Sequence, residues 1–412
     1  MKEEILSNIN NPRELEKLYR INRTAFKRDF NSLYPEIKEN KFAEFWNERL
    51  NYESSDNSQS SESELMFVIF ASLIAGLIAK LPDILSLDVE FFITRNISFI
   101  IFPLLMIYFA WKNKLTFKRS VIVTISVLFS IVFINLMPDN KSDILRLSCI
   151  HLPLFLWSVL GFVYTGEKIN SYEKRMDYLR YNGDLIVITT IILISGIILT
   201  GITIGLFSLI DIKAENFYKN FVAVFGLAAS PIVGTYVVQR NPQLVNKVSP
   251  LIAKMFCPLV LITLIVYLIA IFVTGKDPFN DREFLLLFNG LLLIVMAIII
   301  FSAAESSRSK GKRLEITILF LLSVVTIIVN LIALSAIVFR ISEWGITPNR
   351  LAVLGGNVLI LTNLLLVTIK LFRIMSLKSE LPEVDKTISA FLPVYFIWAF
   401  FVAFIFPFIF GF

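Results

Sequence analysis

Long apolar stretches separated by short polar connections occupy the chain from Leu65 to its end. There are about eleven of them, each of roughly 16 to 26 residues, and each is long enough for a helix to cross the hydrocarbon core of a bilayer. Because lipid offers the backbone no hydrogen bonds, such segments are helical. The pattern predicts an all-α fold, a polytopic transmembrane helical bundle. The spans are expected at Leu65–Lys80, Asn96–Trp111, Arg119–Met137, Ile144–Thr165, Leu185–Ile210, Phe221–Val238, Leu251–Thr274, Phe284–Ala304, Leu314–Phe339, Leu351–Phe372 and Ile388–Phe410.

Residues 1–64 have a different pattern. Apolar residues recur at helical spacing over 1–50, and Asn11, Pro12 and Glu14 fit a helix start. Residues 51–64 are rich in Ser, Asn and acidic side chains, which is typical of a flexible linker. We therefore expect an N-terminal helical segment at 1–50, a linker at 51–64 and a transmembrane domain at 65–412. The N-terminal helices either lie on the membrane surface or bind a protein partner.

The hydrophobic composition decides how the net positive charge of the chain is interpreted. Hydrophobic residues make up 56% of the chain, which has 38 Phe and a formal net charge of +6. Its basic residues are concentrated in alternate short connections, where they determine topology, so nucleic acid is not an expected partner. Their distribution predicts a cytoplasmic N-terminus and an external C-terminus. The basic set contains Lys112, Lys114, Lys118, Arg119, Lys168, Lys174, Arg175, Arg180, Arg240, Lys247, Arg308, Lys310, Lys312, Arg313, Arg373, Lys378 and Lys386.

Several kinds of chemistry lack the residues that they need. No Asp or Glu lies near the middle of an expected span, which disfavours classical ion-coupled antiport. The sequence has no Gly-x-Ser-x-Gly, His-Glu-x-x-His, paired Asp or phosphate-cradling Gly motif, so an enzyme is not expected. His151 is the only histidine and has no Cys/His cluster around it. Neither a metal nor another cofactor is therefore expected.

Polar residues within the spans are candidate substrate contacts. His151 lies two residues before Pro153 in the fourth span, where it either forms a structural hydrogen bond to another span or contacts a substrate. Ser230 and Pro231 are expected to interrupt the sixth span, and broken helices expose backbone to substrates in transporters. The alternative at this position is a kink with close packing.

Small and amide side chains indicate helix contacts. Gly201 and Gly205 in the fifth span, and Gly226, Ser230 and Gly234 in the sixth, have the four-residue spacing that lets membrane helices approach closely. These two spans are expected to pack together. The amides of the later spans are interpreted as interhelical contacts rather than as a pathway. They are Asn289, Asn330, Asn357 and Asn363.

The connection from Arg340 to Arg350 is the strongest local signal. Thr347 followed by Pro348 fits a helix start, which would present a positive dipole end and free N–H groups beside Arg350. This geometry suits an anion such as a lipid phosphate or an acidic polymer. The alternative is a capped helix whose arginine pairs with Glu343 or, without selectivity, with phospholipid.

Arg95 and Asn96, at the start of the second span, lie near the same expected outer face. Arg146 and Arg282 lie near the same expected face, so a lipid phosphate or an acidic polymer could bind among these arginines. Arg95 and Asn96 are included in the candidate contacts.

Four short motifs suggest a family. They are the run Trp344-Gly345-Ile346-Thr347-Pro348-Asn349-Arg350, the segment His151-Leu152-Pro153 with Trp157, the pair Arg95-Asn96, and the closing segment from Trp398 through Pro407 to Phe410-Gly411-Phe412. Together they resemble an uncharacterised bacterial family of polytopic membrane proteins, the domain-of-unknown-function family four-one-five-three. The resemblance implies a multi-pass protein of the bacterial inner membrane. It implies no activity, substrate or catalytic residue.

Two functions are expected for a protein of this kind. A transporter or translocase of a lipid or another anionic substrate would be embedded in the bilayer, with anionic lipid at its outer face. A scaffold or sensor subunit would instead bind a protein partner through the N-terminal helices. The candidate substrate or anion contacts are His151, Ser230, Pro231, Arg340, Arg350, Arg95 and Asn96.

Overall fold

The computed structural model describes residues 2–139, 142–208, 213, 215–274, 282–308, 313–376 and 380–411, and every regular element in these ranges is helical. Two π-helical turns occur at Tyr218–Val222 and Phe401–Ile405. The helices are α1 (Lys2–Ser7), α2 (Pro12–Ile21), α3 (Arg23–Ile37), α4 (Lys41–Leu85), α5 (Val89–Lys112), α6 (Phe117–Leu136), α7 (Asp143–Thr165), α8 (Tyr172–Ser208), α9 (Glu215–Phe217), α10 (Ala223–Arg240), α11 (Pro242–Thr274), α12 (Arg282–Arg308), α13 (Arg313–Trp344), α14 (Pro348–Met375), α15 (Leu381–Phe400) and α16 (Phe406–Phe410).

The span pattern agrees with these helices. Within the described ranges, 10 helices are long and apolar enough to cross a membrane. The remaining expected span, Leu251–Thr274, lies in α11, of which Lys254–Ala270 forms a shorter apolar helix among the described residues. Ile210, the expected end of the fifth span, lies outside them. The protein is an all-α, multi-pass membrane protein.

The chain divides into two compact units, Met1–Ile69 and Phe70–Phe412. In the first unit, Asn11 and Asn22 cap α2 and α3 through their side-chain oxygens. The apolar sides of its helices turn inward rather than outward, so the unit has a core of its own. That core consists of Ile5, Leu15, Phe26, Phe30, Leu33, Ala43, Trp46 and Leu50.

The expected linker at 51–64 is wrong as a description of the backbone. These residues are helical and belong to α4, which is continuous from Lys41 to Leu85. Helix nucleation is costly but extension is cheap, and the polar residues here carry only small propensity penalties. A helix established by apolar residues on both sides can therefore pass through a polar stretch.

The membrane unit, Phe70–Phe412, has two ends defined by its packing. At the first, which we call the Arg95 end, Leu147 near the start of α7 packs with Ala352 near the start of α14 and with Phe406 of α16. At the second, the Arg175 end, the start of α8 meets the start of α15 and the end of α12, because Arg180 bonds both Asp385 and Ala304. The basic connections predict that the Arg95 end faces outside and the Arg175 end faces the cytoplasm.

The expected packing of the fifth and sixth spans is confirmed for α8 and α10, although not at all of the expected glycines. A Cβ on Gly234 would lie 2.7 Å from Thr189 Oγ1, so the helices approach closely there. No described neighbouring atom lies within 4 Å of the Cβ positions at Gly201, Gly205 or Gly226. The reason is that α8 meets α10 through its first half, while much of its second half is exposed.

Candidate functional site

Arg95 ties the start of α5 to the end of α6. Its side chain is buried, and its Nη1 donates to the carbonyl oxygens of Ile134 at 2.6 Å and Met137 at 2.8 Å. Carbonyls at the end of a helix have no intrahelical N–H to pair with, so the guanidinium satisfies them. Its Nη2 lies 3.5 Å from a carboxylate oxygen of Asp139, which compensates the charge.

Asn96 forms a second link between the same two helices. It exchanges hydrogen bonds with Asn135, in which each amide nitrogen donates to the other side chain's oxygen at 3.0 and 2.8 Å. We call Arg95, Asn96, Asn135, Asp139 and the two bonded carbonyls the Arg95 junction. Its strongest donors already have protein acceptors, so the geometry is that of a clamp between helices.

The connection between α13 and α14 is also closed on itself. Thr347 caps α14 by accepting a hydrogen bond from the backbone N–H of Arg350, which confirms the predicted helix start. The Arg350 Nη1 donates to the carbonyl oxygens of Trp344 at 2.9 Å and Gly345 at 2.6 Å. The guanidinium carbons of Arg340 and Arg350 lie 5.6 and 5.7 Å from the Trp344 ring centroid. A role for either arginine as an anion contact stays a prediction.

His151 and Ser230 both bond within their own helices. His151 Nδ1 lies 2.9 Å from the carbonyl oxygen of Leu147 in α7, so this bond is not the expected one to another span. In α10, Ser230 Oγ donates to the carbonyl oxygen of Leu227 at 2.9 Å, the acceptor that Pro231 cannot pair because proline has no N–H. Consequently α10 continues through Pro231, and the expected interruption is wrong.

A different set of polar side chains meets in the interior of the membrane unit. On α13, Ser323, Thr326 and Asn330 are spaced three and four residues apart and therefore share one face. Each of the three is fully buried, with 0% exposure. This face packs against α14, where Thr368 Oγ1 donates to Ser323 Oγ at 2.9 Å and the Asn330 amide donates to the Asn357 carbonyl at 3.3 Å.

Two further helices extend this set. Asn357 donates to Asn289 Oδ1 of α12 at 2.8 Å, and Asn363 donates to the Tyr395 hydroxyl of α15 at 2.8 Å. We call the whole set the amide seam. Its members are Ser323, Thr326, Asn330, Asn357, Asn363, Thr368, Asn289 and Tyr395.

The amide seam contains buried polar atoms that have no hydrogen-bond partner among the described residues. They are Asn330 Oδ1 and Asn363 Oδ1, both on fully buried side chains. Nearby, Trp398 Nε1 is also buried without a partner, and the Trp398 ring lies against Gly355 and Gly356, immediately before Asn357. Two acceptors and a donor in such positions match the hydrogen-bonding pattern of a polar guest such as water.

A partly open cavity of about 330 Å³ lies at the Arg175 end between α6, α7 and α15. Its walls are mainly apolar, and its rim includes the exposed Ile122 of α6. We call it the α6–α7–α15 pocket. It is lined by Ile122, Val123, Ser126, Trp157, Ser158, Val159, Gly161, Phe162, Thr165, Ile169, Arg175, Tyr178, Leu392, Pro393 and Phe396.

Arg175 is the charged residue of this pocket. Its Nε donates to the carbonyl oxygen of Ile169 at 2.9 Å, and its Nη1 lies 3.4 Å from the carbonyl oxygen of Ser389. Ser389 precedes Pro393 by four residues, so its carbonyl lacks the usual helical donor. The proline of α15 thus creates an acceptor that draws the guanidinium to the end of the pocket.

Two carboxylates, one of them buried, lie at the same end, where the sequence did not indicate them. Asp385 of α15 accepts a hydrogen bond from Arg180 Nη2 at 2.9 Å, and Asp177 accepts one from Arg180 Nη1 at 3.2 Å. Asp385 is only 5% exposed. These residues hold the start of α8 against α15, next to the pocket.

The predicted site residues thus occupy separate places: the Arg95 junction, the α13–α14 connection, and local bonds within α7 and α10. Arg175 was predicted only as a topology determinant, and its position beside Pro393 has no local sequence signal. The amides of the seam were visible as polar residues inside apolar spans. Their spacing could not indicate which amide oxygens lack donors.

The fold and these sites define a class, a multi-pass α-helical membrane protein with a buried polar seam and a separate apolar pocket. No protein-family model matches the chain, and neither a curated protein nor a solved structure matches it. The resemblance to the family of unknown function therefore remains an expectation drawn from short motifs.

Proposed function

We propose that the protein is a transporter or translocase that moves a lipid or another anionic, amphiphilic substrate through the bacterial inner membrane. The observation that carries the proposal is the amide seam, with its two buried amide oxygens that lack donors in the described part of the chain. Leaving a buried polar group unsatisfied costs about 1–3 kcal/mol. Apolar side chains at these positions would avoid that cost, so a bundle that served only as a support gains nothing from the two unpaired oxygens.

The location of the seam supports the same proposal. Asn330 lies near the middle of α13, and transporters place their polar substrate contacts near the bilayer midplane. The seam has amide and hydroxyl groups but no carboxylate among its members, so it can accompany water or a polar head group without a fixed counter-charge. A substrate with a polar part and an apolar part would find both environments in this unit, because α15 contributes to the seam and to the pocket.

The test is movement of a fluorescent phosphatidylglycerol between the leaflets of proteoliposomes that contain the full chain. Asn363→Leu and Asn330→Leu should lower the rate by about tenfold or more, which corresponds to about 1.4 kcal/mol. Thr326→Val in the seam should also lower the rate, whereas Thr203→Val on the exposed part of α8 should not. The two threonines are matched, because each hydroxyl donates to the carbonyl four residues earlier in its own helix. Equal rates in wild-type protein and empty vesicles would contradict the proposal.

A second candidate function is that of a scaffold or sensor subunit that binds a protein partner. It is favoured by the N-terminal unit, which has its own apolar core yet leaves Ile21 and Phe45 70% and 61% exposed. Deletion of residues 1–50 would separate the two functions. The scaffold proposal expects loss of a stoichiometric partner in pull-downs from native membranes, whereas the translocase proposal expects the lipid flux to persist.

A further inference from the structure

We propose that the α6–α7–α15 pocket binds an anionic phospholipid, with an acyl chain along its apolar walls and the phosphate at Arg175. The inference rests on the proposed function, for which it names the substrate class. It uses residues outside the amide seam, so the two can fail separately. Four features of the pocket carry it: its walls, its rigidity, its uncompensated charge and its position in the span.

The walls suit a hydrocarbon chain. Val123 from α6, Phe162 from α7 and Phe396 from α15 contribute apolar surface from three helices. The cavity volume of about 330 Å³ is in the range of ligand pockets, which is roughly 300–1,000 Å³. Because the rim includes the exposed Ile122, a lipid tail could enter from the apolar surface of the unit.

The wall formed by α7 and α8 is held in place by hydrogen bonds. Tyr178 donates from its hydroxyl to the carbonyl oxygen of Trp157 at 2.5 Å, and Trp157 Nε1 donates to Asn182 Oδ1 at 2.9 Å. Gly161 lets the Tyr178 ring approach α7, since a Cβ there would lie 2.8 Å from the ring. A wall fixed in this way lowers the entropic cost of binding a flexible chain.

The charge of Arg175 favours an anion. Other arginines of the unit form ion pairs: Arg95 with Asp139, Arg119 with Glu167, Arg146 with Asp143, and Arg180 with both Asp177 and Asp385. Among the described residues, Arg175 has only carbonyl oxygens as acceptors. A guanidinium bonded to carbonyls keeps its full positive charge, and a phosphate presents the oxygens that its remaining N–H groups can bond.

The position of Arg175 matches that of a lipid head group. The residue lies in the first turn of α8, at the end of the unit where α7 ends and both α6 and α15 begin. Trp157 and Ser126 line the pocket at least two turns further into their helices. The charged group is therefore at the interface and the apolar walls extend toward the membrane interior, which is the arrangement of a phospholipid in a leaflet.

The test is native mass spectrometry of the purified full chain in detergent with equimolar phosphatidylglycerol and phosphatidylcholine. Wild-type protein should retain phosphatidylglycerol preferentially. Arg175→Gln should lower that retention about fivefold, whereas Arg175→Lys, which keeps the charge, should preserve most of it. Arg373→Gln, at the exposed Arg373 near the end of α14, is the control for a lost surface charge.

A second pair of variants tests the acyl-chain site. Ser126→Trp fills the pocket from α6 and should remove retention of both lipids. Ser195→Trp makes the same change on an exposed face of α8 and should leave retention unchanged. The two serines are matched, because each donates to the carbonyl four residues earlier, at 2.9 and 2.8 Å.

Three outcomes would overturn the inference. One is equal retention in Ser126→Trp and Ser195→Trp, and another is a phosphatidylglycerol preference that survives Arg175→Gln. The third is displacement of the lipid by inorganic phosphate at millimolar concentration, which would show that the pocket recognises a free anion. Lipid retention that depends on Arg175 without any leaflet-to-leaflet flux would instead support the lipid site and contradict the proposed function.

Discussion

The Arg95 junction and the amide seam are both buried polar sites, but they differ in how their groups are satisfied. At the junction, Arg95 Nη1 bonds two carbonyls, its Nη2 has no hydrogen bond but forms an ion pair with Asp139 at 3.5 Å, and Asn96 and Asn135 bond each other in both directions. In the seam, Asn330 and Asn363 each make one bond through the amide nitrogen, and neither amide oxygen has a hydrogen-bond or ion-pair partner among the described residues.

This difference separates structural polarity from functional polarity. Polar groups that bond or ion-pair across two helices hold those helices together, and removal of one partner exposes the cost of leaving the other group buried. Groups that remain without a protein partner contribute less to stability, and in a native protein they require another explanation, such as water or a ligand. The first kind should therefore respond to mutation through stability and the second kind through activity.

The largest expected effect is at the junction. Arg95→Met should lower the free energy of unfolding by about 3 kcal/mol, since it removes charge-assisted hydrogen bonds to the Ile134 and Met137 carbonyls at the end of α6. The measurement is equilibrium unfolding of the full chain in detergent. Arg146→Met is the control, because the Arg146 side chain is 65% exposed and should change stability by no more than about 0.5 kcal/mol.

Equal destabilisation by the two substitutions would contradict the clamp at the Arg95 junction. It would show that the bonds of Arg95 to the end of α6 contribute no more to stability than an exposed charge does.

An intermediate effect is expected where Trp398 packs beside the seam. A Cβ on Gly355 would lie 2.1 Å from the Trp398 ring, so Gly355→Ala should force the ring away and destabilise the protein by about 1–3 kcal/mol. Gly201→Ala should cause no loss, since nothing described lies within 4 Å of that position. Thermal unfolding of both variants in the same detergent compares them, and equal midpoints would contradict the packing of Trp398 on α14.

The sequence was sufficient to predict the membrane spans, because the length of an apolar segment decides whether its helix can cross a bilayer. It was also sufficient for the cap at Thr347, which was predicted from two consecutive residues, Thr347 and Pro348. It was misleading at residues 51–64 and at Pro231, where neighbouring residues restore a helix that local composition argues against. Local rules fail at these positions because helix formation is cooperative.

The sites were harder to predict from the sequence than the fold. Arg95 was recognised as a special residue, but its bonds to Ile134 and Met137 join positions about 40 residues apart. The α6–α7–α15 pocket combines residues from Ile122 to Phe396, and no spacing within one helix indicates that they meet. The mid-span asparagines were correctly identified as polar contacts, yet the feature that distinguishes the seam is a set of absent partners.

The smallest expected effect on stability is therefore in the seam itself. Asn330→Leu removes one hydrogen bond, from its amide to the Asn357 carbonyl, and such bonds between membrane helices average about 0.6 kcal/mol. It also removes a buried oxygen that has no donor, which offsets the loss. The free energy of unfolding should change by less than about 1 kcal/mol, while the rate of lipid movement falls. Unfolding and lipid flux should be measured on one preparation of each variant, so that Asn330→Leu can be compared directly with Arg95→Met. A large loss of stability in Asn330→Leu would show that the seam, like the junction, has a structural role.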